Sequence, residues 1–277
     1  EIPLRLVGSE MCIRDRLYLY RMLRTKVAWV CMIILVGLTA FTLSVNYMID
    51  KMTDSMAMDG DTSVVMEEEQ PETETSILDE YLGVMQNGFP MMIFGIFAAI
   101  FYNSDEKHGY VKNIVTQYNN RSSVLLPRIL SLGIYVLAVN LVNFLVVAIL
   151  FKCFYPDTGL GLQGATLGYM GMHFLLLLTF LFIVQFITAF ARGTALAVTY
   201  SVCASMNMAA LAAMPLNFLV RKFLHVQNPN VTKYFLDTYL FSIRSAEHTW
   251  SLLVLFVCYA GVAAALACLL LNKRDMR

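Results

Sequence analysis

Along the chain, nearly uncharged apolar runs of about twenty residues alternate with shorter polar stretches. Six runs stand out, at residues 27–47, 82–102, 126–151, 169–191, 195–219 and 250–271. At ~1.5 Å of rise per residue, twenty helical residues cover roughly 30 Å, the hydrocarbon thickness of a bilayer. The pattern predicts an all-α membrane protein, a bundle of six transmembrane helices. Gly88 and Pro90 interrupt the second run. Pro127 opens the third, where a first helical turn tolerates proline. Pro215 falls near the end of the fifth, and Asn272, Lys273 and Arg274 stop the sixth.

The polar stretch between the second and third runs has its own period. Tyr110, Ile114 and Tyr118 recur every fourth residue, with Val111 and Val115 beside them, while Lys112, Asn113, Thr116 and Gln117 fall opposite. That spacing predicts a short amphipathic helix. Ser104 is expected to cap it, with Asp105 and Glu106 in its first turn and Gly109 relaxing the entry. Its apolar face has two uses, and periodicity does not choose between them. It docks in a partner's groove, or it lies among lipid headgroups.

Composition agrees with a bilayer. Of the 277 residues, 58% are hydrophobic and only 14% charged, against about 25% charged in soluble domains. Mean hydropathy is +0.63. The formal net charge is zero, so no bulk field points to nucleic acid. Basic residues set the orientation. Arg21, Arg24 and Lys26 precede the first run, Lys107, Lys112, Arg121 and Arg128 surround the second connection, and Lys273, Arg274 and Arg277 close the chain. With both termini cytoplasmic, these fall inside together with Arg192, against Lys51, Lys152, Arg221, Lys222, Lys233 and Arg244 outside, a basic excess that the positive-inside rule supports. The opposite side then carries the acidic loop 48–81. Within it, residues 50–80 hold eleven acidic residues against one lysine. Its middle, around Glu67, Glu68 and Glu69, is too polar to bury a core. The last external stretch, 220–249, mixes Phe223, Tyr234, Leu236 and Phe241 with charges, as short interfacial helices do.

Candidate chemistry is sparse. No Gly-x-x-x-x-Gly-Lys-Ser/Thr phosphate loop occurs, so the chain has no nucleotide engine of its own. No charged residue falls in the middle of a run, which argues against an ion-coupled carrier. Asn140, Asn143, His173, Gln185 and Asn207 are the polar groups within the runs. Asn140, Asn143, Gln185 and Asn207 either line a translocation path or hydrogen-bond between helices, and His173 is expected at an interface. The six cysteines show no metal-ligand spacing, and the methionines of the acidic loop are too irregular for a soft-metal site. No nucleophile motif and no paired intramembrane acids point to an enzyme. Asn230-Val231-Thr232 fits a glycosylation triplet, one that is common by chance.

Three stretches carry a resemblance. The pre-span sequence Leu17-Tyr-Leu-Tyr-Arg-Met-Leu-Arg-Thr-Lys26 is similar to an amphipathic elbow. Asp105-Glu106-Lys107-His108-Gly109-Tyr110-Val111-Lys112-Asn113, followed by Arg121 and Pro127-Arg128, resembles a second-to-third cytoplasmic loop, and Leu271-Asn-Lys-Arg-Asp275 a short basic tail. Together they resemble the six-span permeases of the type-2 ATP-binding-cassette (ABC) transporter family, near bacteriocin-immunity and drug or peptide exporters. The resemblance implies one permease domain over 17–277, in a bacterial plasma membrane, with an elbow helix and a cytoplasmic coupling helix. Glu106, Gly109, Tyr110, Val111, Ile114, Val115 and Tyr118 would then dock on a separate ATP-binding subunit, which holds ATP and Mg; no cofactor is implied on this chain. A second permease copy or paralogue would complete the transporter. The first sixteen residues depart from the family, since 7–16 resembles a translated sequencing adaptor, and they are expected to be non-native. The alternative reading is a membrane-anchored sensor or assembly factor whose acidic external loop binds a ligand.

Overall fold

The computed structural model describes residues 18–58, 76–107, 125–156, 159, 164–191, 193–224, 232, 235–241 and 249–273. Helices make up nearly all of them, and no strand occurs among them. In chain order they are α1 (18–24), α2 (Lys26–Met58), α3 (Ile77–Gln86), α4 (Phe89–Lys107), α5 (Leu125–Phe154), α6 (Gly164–Ala191), α7 (Ala195–Ser205), α8 (Met208–Leu224), α9 (Leu236–Phe241) and α10 (Thr249–Lys273).

Among the described residues, three stretches are long and apolar enough to cross a membrane: Lys26–Thr53, Pro127–Phe154 and Thr166–Ala191. The pair Ile77–Gln86 and Phe89–Asp105, bent by 56°, makes a fourth if taken as one span. Their outer faces are apolar too. On α5 the side facing away from the bundle carries Leu130, Ile134, Leu137, Leu141, Leu145 and Ile149, all exposed, while Leu132, Tyr135, Val136, Val139, Asn143 and Val147 are buried. Helices that present branched apolar side chains on the side turned away from their neighbours suit lipid rather than water.

The central element is α6, which touches α3, α4, α5, α7, α9 and α10. Leu176, Phe180, Leu181 and Val184 of α6 are buried with Phe94, Phe97 and Ala98 of α4 in the main core. Lipid tails are as apolar as leucine, so burial alone does not join such helices; close packing does. The contact of α4 with α7 shows how. Gly95 lies so near Ser201 that an added Cβ would stand 2.4 Å from its Oγ. Ala98 and Ala99 on α4, and Ala197 and Ala204 on α7, keep the rest of that face small and buried.

Two of the expected spans are broken. Gly88 and Pro90 signal the first break in the sequence. Asn87 ends α3, Gly88 takes φ +73°, and α4 begins at Phe89 with Pro90 in its first turn. The second corrects the expected fifth span, 195–219, which is not one continuous helix. It divides at Asn207, whose φ of 52° is left-handed, a conformation asparagine tolerates better than most residues. The breaks face each other: a Cβ on Gly88 would lie 2.3 Å from the Ser205 carbonyl oxygen. Two loop boundaries change as well. The helix α2 continues to Met58, and α3 starts at Ile77, so the stretch expected to be loop over 48–81 is helical at both ends. Ser76 caps α3, its Oγ accepting from the Asp79 N–H at 3.2 Å.

Candidate functional site

At the end of the bundle where α4 finishes and α5 starts, three charged residues converge. Asp105 of α4 has no exposed side-chain surface and meets Arg128 Nε at 3.1 Å and Arg21 Nη1 at 2.6 Å. Arg128, 1% exposed, also lies over the Tyr102 ring at 4.4 Å from its centroid. One carboxylate thus ties α1, α4 and α5 together. A stacked guanidinium and a fixed fork suit arginine to this role better than lysine. Tyr18 and Met22 of α1 are buried in the main core, which fixes the Arg21 backbone from below.

This geometry corrects one expectation. Ser104, Asp105 and Glu106 do not cap or open a new helix; they belong to the last turns of α4. The apolar residues expected to couple to a partner, Tyr110, Val111, Ile114, Val115 and Tyr118, lie outside the described residues together with Gly109. The sequence marked Asp105 and Arg128 separately but not as a pair. The signal was an acid and a base at the facing ends of consecutive apolar runs.

The four asparagine and glutamine residues considered for a translocation path occupy different contacts. Asn143, fully buried on α5, accepts from Thr39 Oγ1 of α2 at 2.7 Å. Asn140 accepts from the Tyr81 hydroxyl through its carbonyl at 3.1 Å and its Oδ1 at 3.3 Å, linking α5 to α3. Both act as hydrogen bonds between helices. Gln185, 3% exposed on α6, has neither amide atom hydrogen-bonded among the described residues. Asn207 stands in the α7–α8 break with Oδ1 buried and without a hydrogen bond among the described residues. Asn140 also lines a cavity of about 340 Å³ between α3, α5 and α6, with Tyr81 and His173. His173 is buried on that wall.

Outside the candidate spans, Asp237 of α9 is buried near Tyr200 and Tyr259. Burial pushes its carboxyl above the ordinary range, opposed by a backbone hydrogen bond. At the far end of the bundle, Tyr155 donates to Asp50 Oδ2 at 2.5 Å. Burial first, then the Asp50 carboxylate, hold the Tyr155 phenol above its ordinary range, so it remains a donor. No protein-family model matches the chain, and no curated protein matches it.

Proposed function

We propose that this chain is the membrane-spanning permease subunit of an ATP-driven type-2 ABC exporter, powered by a separate ATP-binding subunit and paired with a second permease. The observation that carries this reading is the Asp105 cluster. It sits at the root of the segment 108–124 and binds the elements on either side of it, α4 and α5, to α1. A push on that segment would reach three helices through one buried carboxylate rather than being absorbed in a loop. The six apolar runs, the basic residues at the Asp105 end and the amphipathic period of 110–118 support the same reading. Both termini would be cytoplasmic, and export of a peptide or drug would proceed between the two permeases.

The test is recovery of an ATP-binding subunit encoded beside this chain. Truncating a well-packed anchor typically costs more than ~2 kcal/mol of binding. Tyr110→Ala and Ile114→Ala are therefore expected to lower co-purification of that subunit and its stimulated ATPase while membrane levels stay normal. Lys112→Ala, on the opposite face, should do less. Full partner recovery by both apolar-face variants would make 110–118 a membrane-surface helix and remove the coupling role.

A further inference from the structure

At the end of the bundle away from Asp105, where α2 and α5 finish and α3 begins, a cavity of about 280 Å³ opens between the three helices. Its walls combine aromatic rings with carboxylates. Tyr47 stacks on Phe154 with centroids 4.6 Å apart and planes 9° from parallel, and Tyr155 meets Tyr47 edge-on at 5.6 Å. Asp50 and Glu80 line the same space. The Tyr155 hydroxyl holds Asp50, and Asn46 hydrogen-bonds Glu80. Among the described residues neither carboxylate forms an ion pair.

Two lining carboxylates without a paired base among the described residues, walled by rings, make a site of negative potential. Ring faces attract cations through their quadrupole, and aromatic enclosures with acids recognise substituted ammonium groups. A second observation points the same way. The Lys51 ammonium already lies over the Tyr47 ring, 4.9 Å from its centroid. That group is tethered to an exposed, flexible stem and shows which charge the ring face accepts. We propose that this cavity binds a substituted ammonium group, supplied either by a phospholipid headgroup or by a soluble organic cation. The proposal does not depend on the transport reading.

Choline is the probe, and 3,3-dimethylbutan-1-ol, of the same shape without the charge, is the control. The full chain is placed in nanodiscs of phosphatidylglycerol, which carry no ammonium headgroup, and binding is read by calorimetry against empty discs. Choline should bind and the neutral analogue should not. Glu80→Gln, which keeps the shape, and Tyr47→Leu should each weaken choline by about tenfold, the ratio that one charged or ring contact commonly supplies. Lys51→Gln should tighten it by removing the tethered competitor. Repeating the titration in phosphatidylcholine discs separates the sources. Loss of choline binding there assigns the site to the headgroup, and unchanged binding assigns it to a soluble cation. The proposal is overturned if choline fails to bind in phosphatidylglycerol discs or binds no better than the neutral analogue. It is equally overturned if Glu80→Gln and Tyr47→Leu, each melting as the parent does, bind choline as tightly as the parent.

Discussion

Replacing Asp105 by asparagine would take the carboxylate from Arg128 and Arg21 while changing almost no volume. Breaking a buried ion pair by removing one partner typically costs about 3–5 kcal/mol, because the surviving charge keeps its desolvation cost. Asp105→Asn should therefore lower the thermal midpoint of the detergent-purified protein sharply. The apolar pair Asp105→Leu with Arg128→Met should recover most of the loss, since neither charge then remains buried. A midpoint within a degree of the parent for Asp105→Asn alone would show that the pair is not a structural clamp. Asp237 gives a pH signature. Its folded carboxyl titrates above the unfolded value of about 3.9, so the fold favours the protonated form. The associated stability is complete below about pH 4 and is lost as pH rises through the higher folded value. Asp237→Asn should match the parent at pH 4 and exceed it at pH 7 in midpoint. Equal midpoints at both pH values would contradict the assignment.

The helices themselves show which signals a sequence carries. Length and uncharged composition mark the apolar runs because lipid admits little else, and the α3–α4 break announces itself through Gly88 and Pro90. The α7–α8 break does not. Met206-Asn207 sits in an apolar context without glycine, and Pro215 drew attention to the wrong place, inside α8. What fixes that break is a backbone angle at Asn207 and a facing glycine more than a hundred residues away. The Asp105–Arg128 pair was hidden for a similar reason: its members belong to separate runs, and only the packed bundle joins them. Asp50 and Glu80 looked like parts of a uniformly acidic loop until both proved to be helical. The close approach of α4 and α7 can be tested directly. Gly95→Ala should destabilise by about 1–3 kcal/mol, as overpacked cores do. Ser201→Gly in the same chain should restore most of that by vacating the space the new methyl needs. Thermal midpoints of the three variants decide it, and a Gly95→Ala variant as stable as the parent would show that the helices are not in tight contact.

For the whole molecule, the distribution of charge bears on orientation. Among the described residues, Arg21, Arg24, Lys26, Lys107 and Arg128 lie toward the Asp105 end, and Asp50, Asp79 and Glu80 toward the other, with Lys51 and Lys152. The expected arrangement puts Ser63 outside and Asn119 inside. Single cysteines introduced at these positions, in a background lacking native thiols, should follow that rule: Ser63→Cys labelled in intact cells, Asn119→Cys only after permeabilisation. Labelling of Asn119→Cys in intact cells would invert the topology.

The central position of α6 also sets a timetable for biosynthesis. Its partner α4 is finished at Lys107, but α6 begins only at Gly164, fifty-seven residues later by subtraction. At ribosomal speeds of about 5–20 residues per second, α4 waits roughly 3–11 s before that neighbour starts to emerge. The face that waits is Phe94, Phe97, Ala98 and Phe101, which lipid receives without cost to any polar group. The helix bearing Thr179, Gln185 and Thr188 on its buried side arrives later, when α3, α4 and α5 already stand ready to receive it. A nascent chain arrested before Gly164 should therefore be tolerated by the membrane as separate helices, whereas α6 inserted without α3, α4 and α5 would display an unsheltered glutamine and invite membrane quality control.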